Sequence, residues 1–237
     1  MIARLLSLLL INLMALAQAW AEKQIYTSIA VDSKSTVVYK EKHTAEFLDG
    51  KIKTAQTEYS NSEGKLIGLL ESDFRVNVAV PSYTYKDLRS ESSHGISFED
   101  GKYVVWRQEK DGKREQKVFR QSDFSDQALI VGCQGLHYYL IDHLPSVKEK
   151  KQVSIKYLMP GALDYYSFTL TFAGEDSDYV HLKLKVDNVI LRLFTSELKL
   201  KYRKADLRLV EYSGLSNIVD DRGEMQNVVI KYTYRII

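Results

Sequence analysis

The chain has little of what would join several small units or hold one of them together covalently. Cys133 is the only cysteine among 237 residues, so an intramolecular disulfide is excluded and stability must come from packing. Only three prolines occur, and no linker rich in Pro, Gly or Ser divides the chain, which favours a single domain. Positive and negative side chains nearly balance, at 33 and 31, so net charge gives no support for nucleic-acid binding.

The first residues have the pattern of an export signal. Arg4 supplies a positive charge, residues 5–16 are almost entirely apolar, and residues 17–19 read Ala-Gln-Ala, a typical cleavage pattern. A cut two residues later, after Ala21, is the alternative. The apolar run is too short to cross a bilayer comfortably.

These observations predict a signal peptide over residues 1–19 and a single β-rich domain over residues 20–237. No later apolar run reaches spanning length, so no transmembrane segment is expected after the signal peptide. A cysteine for lipid anchoring is missing from the cleavage region. We therefore expect a soluble periplasmic protein.

Turn chemistry in the first half of the chain predicts hairpins. Four acidic-Gly-Lys triplets share this chemistry, at residues 49–51, 63–65, 100–102 and 111–113. Aspartate and glycine tolerate the positive φ angles that tight hairpin turns need. Four such turns in one half of the chain indicate an antiparallel meander.

The segments between the turns alternate between apolar and polar residues. Val37, Tyr39 and Ala45 oppose Lys40 and Lys42. In the second half the apolar positions of the alternation are Val153, Ile155, Tyr157, Met159, Tyr166, Phe168, Leu170, Phe172, Val180, Leu182, Leu184, Val186, Leu198, Leu200, Tyr202, Val228, Ile230, Tyr232 and Tyr234. Alternation with period two means one buried and one wet face. The predicted fold class is mainly β, a single curved antiparallel sheet or open half-barrel with one or two short helices.

Two segments depart from this alternation. Residues 134–144 have apolar positions at helical spacing, and Pro145 is expected to end that helix. Residues 187–194 are apolar nearly all round, which fits a short buried helix, an irregular plug or another strand.

Potential catalytic chemistry is limited to one pair. Cys133 stands at the start of the predicted helix, with His137 one turn further on, so a Cys-dependent hydrolase with His137 as base is one hypothesis. The simpler interpretation is a small buried residue at a helix start. The five histidines lack metal-ligand spacing, and His143 is expected to be a hydrogen-bonded core residue. We expect no catalytic residue, no metal and no cofactor.

Two further features bear on ligands. Sixteen tyrosines occur, and tyrosine suits either the wall of a half-wet cavity or a packed core. Basic residues share the polar face of the later strands, at Lys156, Lys183, Lys185, Lys199, Lys201, Arg203 and Lys231. If adjacent, they form either a stripe for anionic lipid head groups or cell-wall polymer, or an ordinary solvated face.

Three stretches carry a resemblance to a known group of proteins. They are residues 158–160 with 163–168, residues 209–218 and residues 228–232. Together they resemble an uncharacterised family of exported proteins from Gram-negative bacteria. The resemblance covers about residues 135–235 and implies no catalytic residues. In outline the predicted architecture is also similar to the open half-barrel of periplasmic lipoprotein carriers, a likeness that does not establish function.

The function expected from the sequence is a periplasmic binding or carrier protein. Its apolar cavity would accept a lipid or another hydrophobic ligand, and the predicted lining residues are Tyr157, Tyr166, Phe168, Phe172, Leu184 and Tyr202. The alternative is a structural or envelope-assembly protein that binds an envelope partner through the lysine face or a sheet edge. An outer-membrane barrel, whose strands also alternate, is a further alternative.

Overall fold

A computed structural model of the protein describes residues 21–124, 128–188 and 197–234. The signal-peptide prediction and most of the 187–194 segment therefore lie outside the described residues. The elements are β1 (Ala21–Val31), β2 (Val37–Leu48), β3 (Lys51–Asn61), β4 (Leu66–Asp73), β5 (Ser82–Asp87), β6 (Ser92–Glu99), β7 (Lys102–Gln108), β8 (Arg114–Arg120), β9 (Leu129–Gly132), α1 (Gly135–Lys150), β10 (Gln152–Met159), β11 (Asp164–Glu175), β12 (Tyr179–Val186), β13 (Leu198–Arg203), β14 (Leu209–Val219) and β15 (Met225–Tyr234). Short 3-10 turns lie at Gln121–Asp123 and Pro160–Ala162.

All of these strands belong to one sheet. Its order is β8-β7-β6-β5-β4-β3-β2-β1-β15-β14-β13-β12-β11-β10-β9, so the first and last strands of the chain pair at its centre. Neighbouring strands are antiparallel except β9 and β10. In the described part of the chain the sheet does not close on itself, because β8 and β9 remain as its two edges. The predicted fold class, a curved antiparallel sheet left open and accompanied by a helix, is confirmed.

The four predicted turns connect consecutive strands. They lie between β2 and β3, β3 and β4, β6 and β7, and β7 and β8. At the first, Asp49 and Gly50 have φ angles of 53° and 72°. Two consecutive positive φ angles give the hairpin turn whose twist matches that of the flanking strands. Asp100 and Gly101 have the same pair of positive φ angles, whereas at the other two turns only Gly64 and Gly112 have a positive φ. The four predicted hairpins are therefore confirmed, and the expected geometry of the turn is found at two of them.

The β9 edge of the sheet is covered on both faces. Ile130 packs in a core with residues of β1 to β8 and with Leu158 of β10. Its neighbour Val131 points the other way, into a second core beneath α1. Because both faces are apolar, this edge lies inside the rolled sheet.

A seam of side chains joins the two edge regions. The rings of Phe119 and Phe124 lie 5.8 and 5.2 Å from the ring of Tyr165. Beside them, Nη1 of Arg107 donates to the carbonyl oxygen of Gly161 at 2.9 Å. Nζ of Lys117 also donates to Asp164 at 3.0 Å, so aromatic packing and two charged hydrogen bonds connect β7 and β8 to the region around the start of β11.

Helix α1 lies against the concave face of the second half of the sheet. Leu136, Leu140, Leu144 and Val147 are buried along one side of the helix. The core that they share with the sheet contains Val180, Leu182, Leu184, Leu200, Tyr202 and Leu209. Burying four such side chains contributes on the order of 1.5–3 kcal/mol each. In the described residues, no helix combines the length and the apolar character that crossing a bilayer requires.

The predicted end of α1 is wrong. The helix continues through Pro145 and ends at Lys150, where Lys151 adopts a φ of 61° and its N–H donates to the carbonyl of Val147. Proline removes one helical hydrogen bond and usually ends or kinks a helix. Here Leu144 and Val147 are buried on either side of Pro145, and their packing outweighs that loss.

The prediction for His143 is also wrong. The residue is exposed, and its ring stacks on Tyr139 with the centroids 4.0 Å apart. Its Nδ1 lies 2.9 Å from the carbonyl oxygen of Tyr139. His143 stands at the margin of the buried stripe, on the side of the helix that Tyr139 shares.

Candidate functional site

The residues predicted to line a cavity cluster around α1. Leu184 and Tyr202 are buried in the core beneath the helix, and Tyr157, Phe168 and Phe172 pack against that core while partly buried. Tyr166 is half-buried, in direct register with Tyr157 across β10 and β11. The structure thus brings the set to one region, where α1 supplies the opposing apolar surface. Their role in lining a ligand cavity stays a prediction.

A cavity opens at the C-terminal end of α1. Its volume is about 490 Å³, and its walls combine an apolar floor with a charged rim. Leu144, Pro145, Val180 and Leu207 supply the apolar lining, named the floor, and Lys148, Glu175 and Lys204 supply the charged lining, named the rim. Small-molecule sites have volumes of about 300–1,000 Å³ and this same mixture of apolar walls with few polar groups.

The rim of the cavity has more positive than negative charge. Nζ of Lys148 lies 2.6 Å from one oxygen of Glu175, and Nζ of Lys204 lies 3.6 Å from the other. The hydrogen bond from Lys148 lowers the pKa of the Glu175 carboxyl, so this group is ionised at neutral pH. Two cations therefore face one anion. Lys148 also lies 5.8 Å from the ring centroid of Phe172, which ties the rim to a predicted cavity residue.

Leu207 holds an unfavourable backbone conformation at this opening. Its φ is 54°, in the left-handed region that costs a bulky residue on the order of 1–2 kcal/mol. Its N–H donates to the carbonyl oxygen of Arg203 at 2.9 Å. Such strain is found disproportionately at ligand-binding and switch regions, and here it places a leucine in the wall of a cavity.

A second feature, missed at the level of sequence, is a buried chain of polar side chains at the start of α1. Nε2 of Gln134 donates to Oγ1 of Thr57 at 3.0 Å, and Oγ1 of Thr57 lies 2.9 Å from Nδ1 of His43. Nε2 of His43 lies 2.9 Å from Oε2 of Glu41, which also accepts the hydroxyl of Ser28. Each group can therefore donate a hydrogen bond to the next, from Gln134 to Thr57, from Thr57 to His43 and from His43 to Glu41.

The order hydroxyl, imidazole and carboxylate is that of a hydrolase triad, but the surroundings oppose this role. Thr57 is 0% exposed, and its oxygen already accepts the amide of Gln134. A substrate carbonyl has no path to it. These hydrogen bonds instead link Gln134, the residue before α1, to β2 and β3.

The sequence contained a signal for this network. Glu41 and His43 fall on the same face of β2 as Tyr39 and Ala45, by simple alternation with exposed or half-buried lysines. Two titratable residues on an otherwise apolar face must find partners inside the protein. That inference required only the period of two.

The Cys133 and His137 pair has the wrong electrostatics for nucleophilic catalysis. Burial raises the pKa of the Cys133 thiol to about 12 and lowers the pKa of His137 to about 4. A reactive cysteine needs a lowered pKa. Nδ1 of His137 lies 3.2 Å from the hydroxyl oxygen of Tyr202, which gives the ring a structural contact beneath α1.

Two half-buried histidines predict that the protein loses stability in acid. Burial lowers the pKa of His94 and of His137 to about 4, against about 6.5 in an unfolded chain. Between pH 6.5 and 4 the unfolded chain therefore binds protons that the folded protein does not. Stability is greatest above pH 6.5 and falls toward pH 4, by about 2–3 kcal/mol for each histidine. Urea unfolding at a series of pH values measures this slope.

The double variant His94→Gln, His137→Gln is expected to flatten that pH dependence. Glutamine keeps a side-chain polar group but takes up no proton in this range. A variant whose free energy of unfolding falls with pH as steeply as that of the wild type would contradict the assignment.

In the part of the chain that the structure describes, no three His, Cys, Asp or Glu side chains come together as a metal site.

No family model matches the sequence, and no curated protein matches it. A similar solved structure is a beta-barrel-like protein of a domain of unknown function from Brucella abortus. It is 12% identical, the alignment covers 90% of this chain and 97% of that chain, and the TM-score is 0.40. This likeness is too distant to carry an argument about function.

Proposed function

We propose that this protein is an exported periplasmic binding or carrier protein for an amphiphile that has an apolar chain and an anionic head. The observation that carries the proposal is the cavity of about 490 Å³ beside the end of α1, with its apolar floor and cationic rim. Export and periplasmic location rest on the leader pattern of the first residues.

The floor of the cavity is continuous with the core beneath α1. Leu144 and Val180 line the cavity and also belong to that core. An apolar chain entering here would replace water against these side chains, a gain of about 25 cal/mol for each Å² of apolar surface buried. Access to the predicted lining residues then depends on how far α1 shifts from the sheet.

The rim supplies the contact for an anionic head. Lys148 and Lys204 share Glu175 as a partner. A carboxylate or phosphate at the rim would form ion pairs with these lysines and neutralise the net positive charge. Charged hydrogen bonds of this kind are stronger than neutral ones. Glu175 competes with the head group for the same lysines, so its charge weakens binding.

Binding of a fluorescent dansyl-undecanoic acid to the full chain tests this function. We expect saturable binding that Lys148→Glu weakens about tenfold or more, because the rim loses its positive charge. Glu175→Gln is expected to strengthen binding by removing the competing anion. The matched control is Lys199→Glu, which reverses an exposed lysine of β13 outside the cavity.

The result separates the proposal from non-specific uptake. Equal weakening by Lys148→Glu and Lys199→Glu would show that general surface charge, and not this rim, holds the probe. Wild-type protein that does not bind the probe at all would also contradict the proposal.

A further inference from the structure

A second, larger concavity lies on the opposite half of the molecule. This groove has a volume of about 700 Å³ and crosses the outer face of the sheet from β1 to β8. Its floor carries half-buried neutral hydrogen-bonding side chains, Thr44, Thr54, Gln56, Ser82, Thr84 and Ser97. Hydroxyl and amide groups can each donate and accept hydrogen bonds. The groove is therefore suited to a ligand with many hydroxyl groups.

The polar groups of the floor form a ladder across the strands. Direct register pairs Thr44 with Gln56, Gln56 with Glu71, and Glu71 with Thr84. Neighbouring strands lie about 4.8 Å apart. Hydrogen-bonding groups therefore repeat at a regular interval along the groove, which fits an extended ligand with a repeating polar unit.

Two of the four carboxylates along the groove pair with nearby cations. Glu71 lies 3.8 Å from Lys86, and Asp73 is bound through two oxygens by the guanidinium of Arg75. The two other carboxylates accept hydroxyl hydrogen bonds, as Glu99 does from Ser97 at 2.7 Å.

Two cations, Lys23 and Arg114, line the groove together with four carboxylates. Lys86 and Arg75 stand outside the lining and pair with Glu71 and Asp73. The carboxylates therefore disfavour a polyanion as the ligand of the groove.

Trp106 lies at one end of the groove. A Cβ at Gly95 would lie 2.9 Å from a ring carbon of Trp106, so the missing side chain gives the indole its space. The guanidinium of Arg114 covers the ring at 4.4 Å from its centroid, and Trp106 is only 8% exposed. The indole therefore supports this end of the groove from beneath, and the polar side chains supply most of the contact surface.

We propose that this groove binds a linear, uncharged oligosaccharide. The hydrogen-bonding floor and its regular spacing favour such a ligand, and the lining carboxylates disfavour a polyanion. A peptide strand is disfavoured because β2 to β6, which carry the floor, are paired on both sides, so the floor offers no free backbone edge for strand addition. This inference is independent of the amphiphile cavity, with which it shares no residue.

Titration of the full chain with chitohexaose and cellohexaose, followed by calorimetry, tests the groove. Binding of either probe is expected, and Thr84→Val and Gln56→Leu should each weaken it about three- to tenfold by removing a hydrogen bond. The matched control Thr27→Val replaces an exposed threonine on the outer face of β1, outside the groove. It should leave the dissociation constant unchanged.

Three outcomes would overturn the proposal. Neither oligosaccharide binds at millimolar concentration, or Thr27→Val weakens binding as much as Thr84→Val does. The third is that penta-lysine binds in the groove and neither oligosaccharide does, which would assign the groove to a cationic peptide. Circular dichroism of each variant shows that its sheet is intact.

Discussion

Gly135→Ala should lower the free energy of unfolding by about 3 kcal/mol or more. A Cβ at this position would lie 2.0 Å from the carbonyl oxygen of Ala79 and 2.8 Å from Cδ of Pro81. The same carbonyl accepts the N–H of Gly132 at 2.9 Å, so it cannot move away without losing that bond. The start of α1 would have to separate from the segment before β5.

The control for this variant is Gly161→Ala. An added Cβ there meets nothing within 4 Å, so the change should fall within about 0.5 kcal/mol of the wild type. Guanidinium unfolding of both variants, monitored by tryptophan fluorescence, measures the difference. Equal midpoints for the two alanine variants would show that α1 does not begin in close contact with Ala79.

Glu41→Ala should cost about 3 kcal/mol or more, because it removes the acceptor shared by two groups of a buried hydrogen-bonded network. Glu41 is 7% exposed and accepts from both Ser28 and His43. Without it, the imidazole and the hydroxyl lose their acceptor inside the protein. The loss should be transmitted to α1, since the network continues through Thr57 to Gln134.

Glu58→Ala provides the comparison on the next strand. The Glu58 side chain is 40% exposed and pairs with Lys42 at 3.4 Å, a contact worth about 0–1 kcal/mol. Calorimetric unfolding of the two variants should therefore differ by several degrees. If Glu41→Ala were as stable as Glu58→Ala, the buried network would not contribute to holding the fold.

Local chemistry made much of the fold predictable. The Asp49-Gly50 turn and the alternation around Leu184 depend only on neighbours in sequence, and the structure confirms both. Around Leu170 both faces of β11 are half-buried, so the predicted wet face is absent there. The end of α1 was not predictable in this way. Pro145 is unfavourable locally, and only burial of Leu144 and Val147 against distant strands retains the helix.

The rolled arrangement needed contacts that no local pattern contains. Ile130 and Leu158 pack with residues of β1 to β8, yet their own segments show only an ordinary apolar character. The parallel pairing of β9 with β10 likewise follows from the position of α1 between them. By contrast, Glu41 and His43 could have been identified as an internal pair from alternation alone.

The candidate site likewise combines features that the sequence predicts with features that only tertiary contacts determine. The alternation in the sequence correctly predicts that Leu184 and Tyr202 lie on one buried face. The cavity itself depends on Lys148, Lys204 and Leu207, which come from α1 and from the β13–β14 connection. Only the tertiary structure places those three side chains around one opening.

The most direct measurement is to locate a bound amphiphile on the protein. A fatty acid with a photoreactive diazirine in its chain would be irradiated with the full-length protein, and the labelled peptides identified by mass spectrometry. We predict labelling of the residues around Leu144 and Leu207, and its suppression by excess dodecanoate. Labelling confined to other parts of the protein, or labelling that excess dodecanoate does not reduce, would contradict an amphiphile site beside α1.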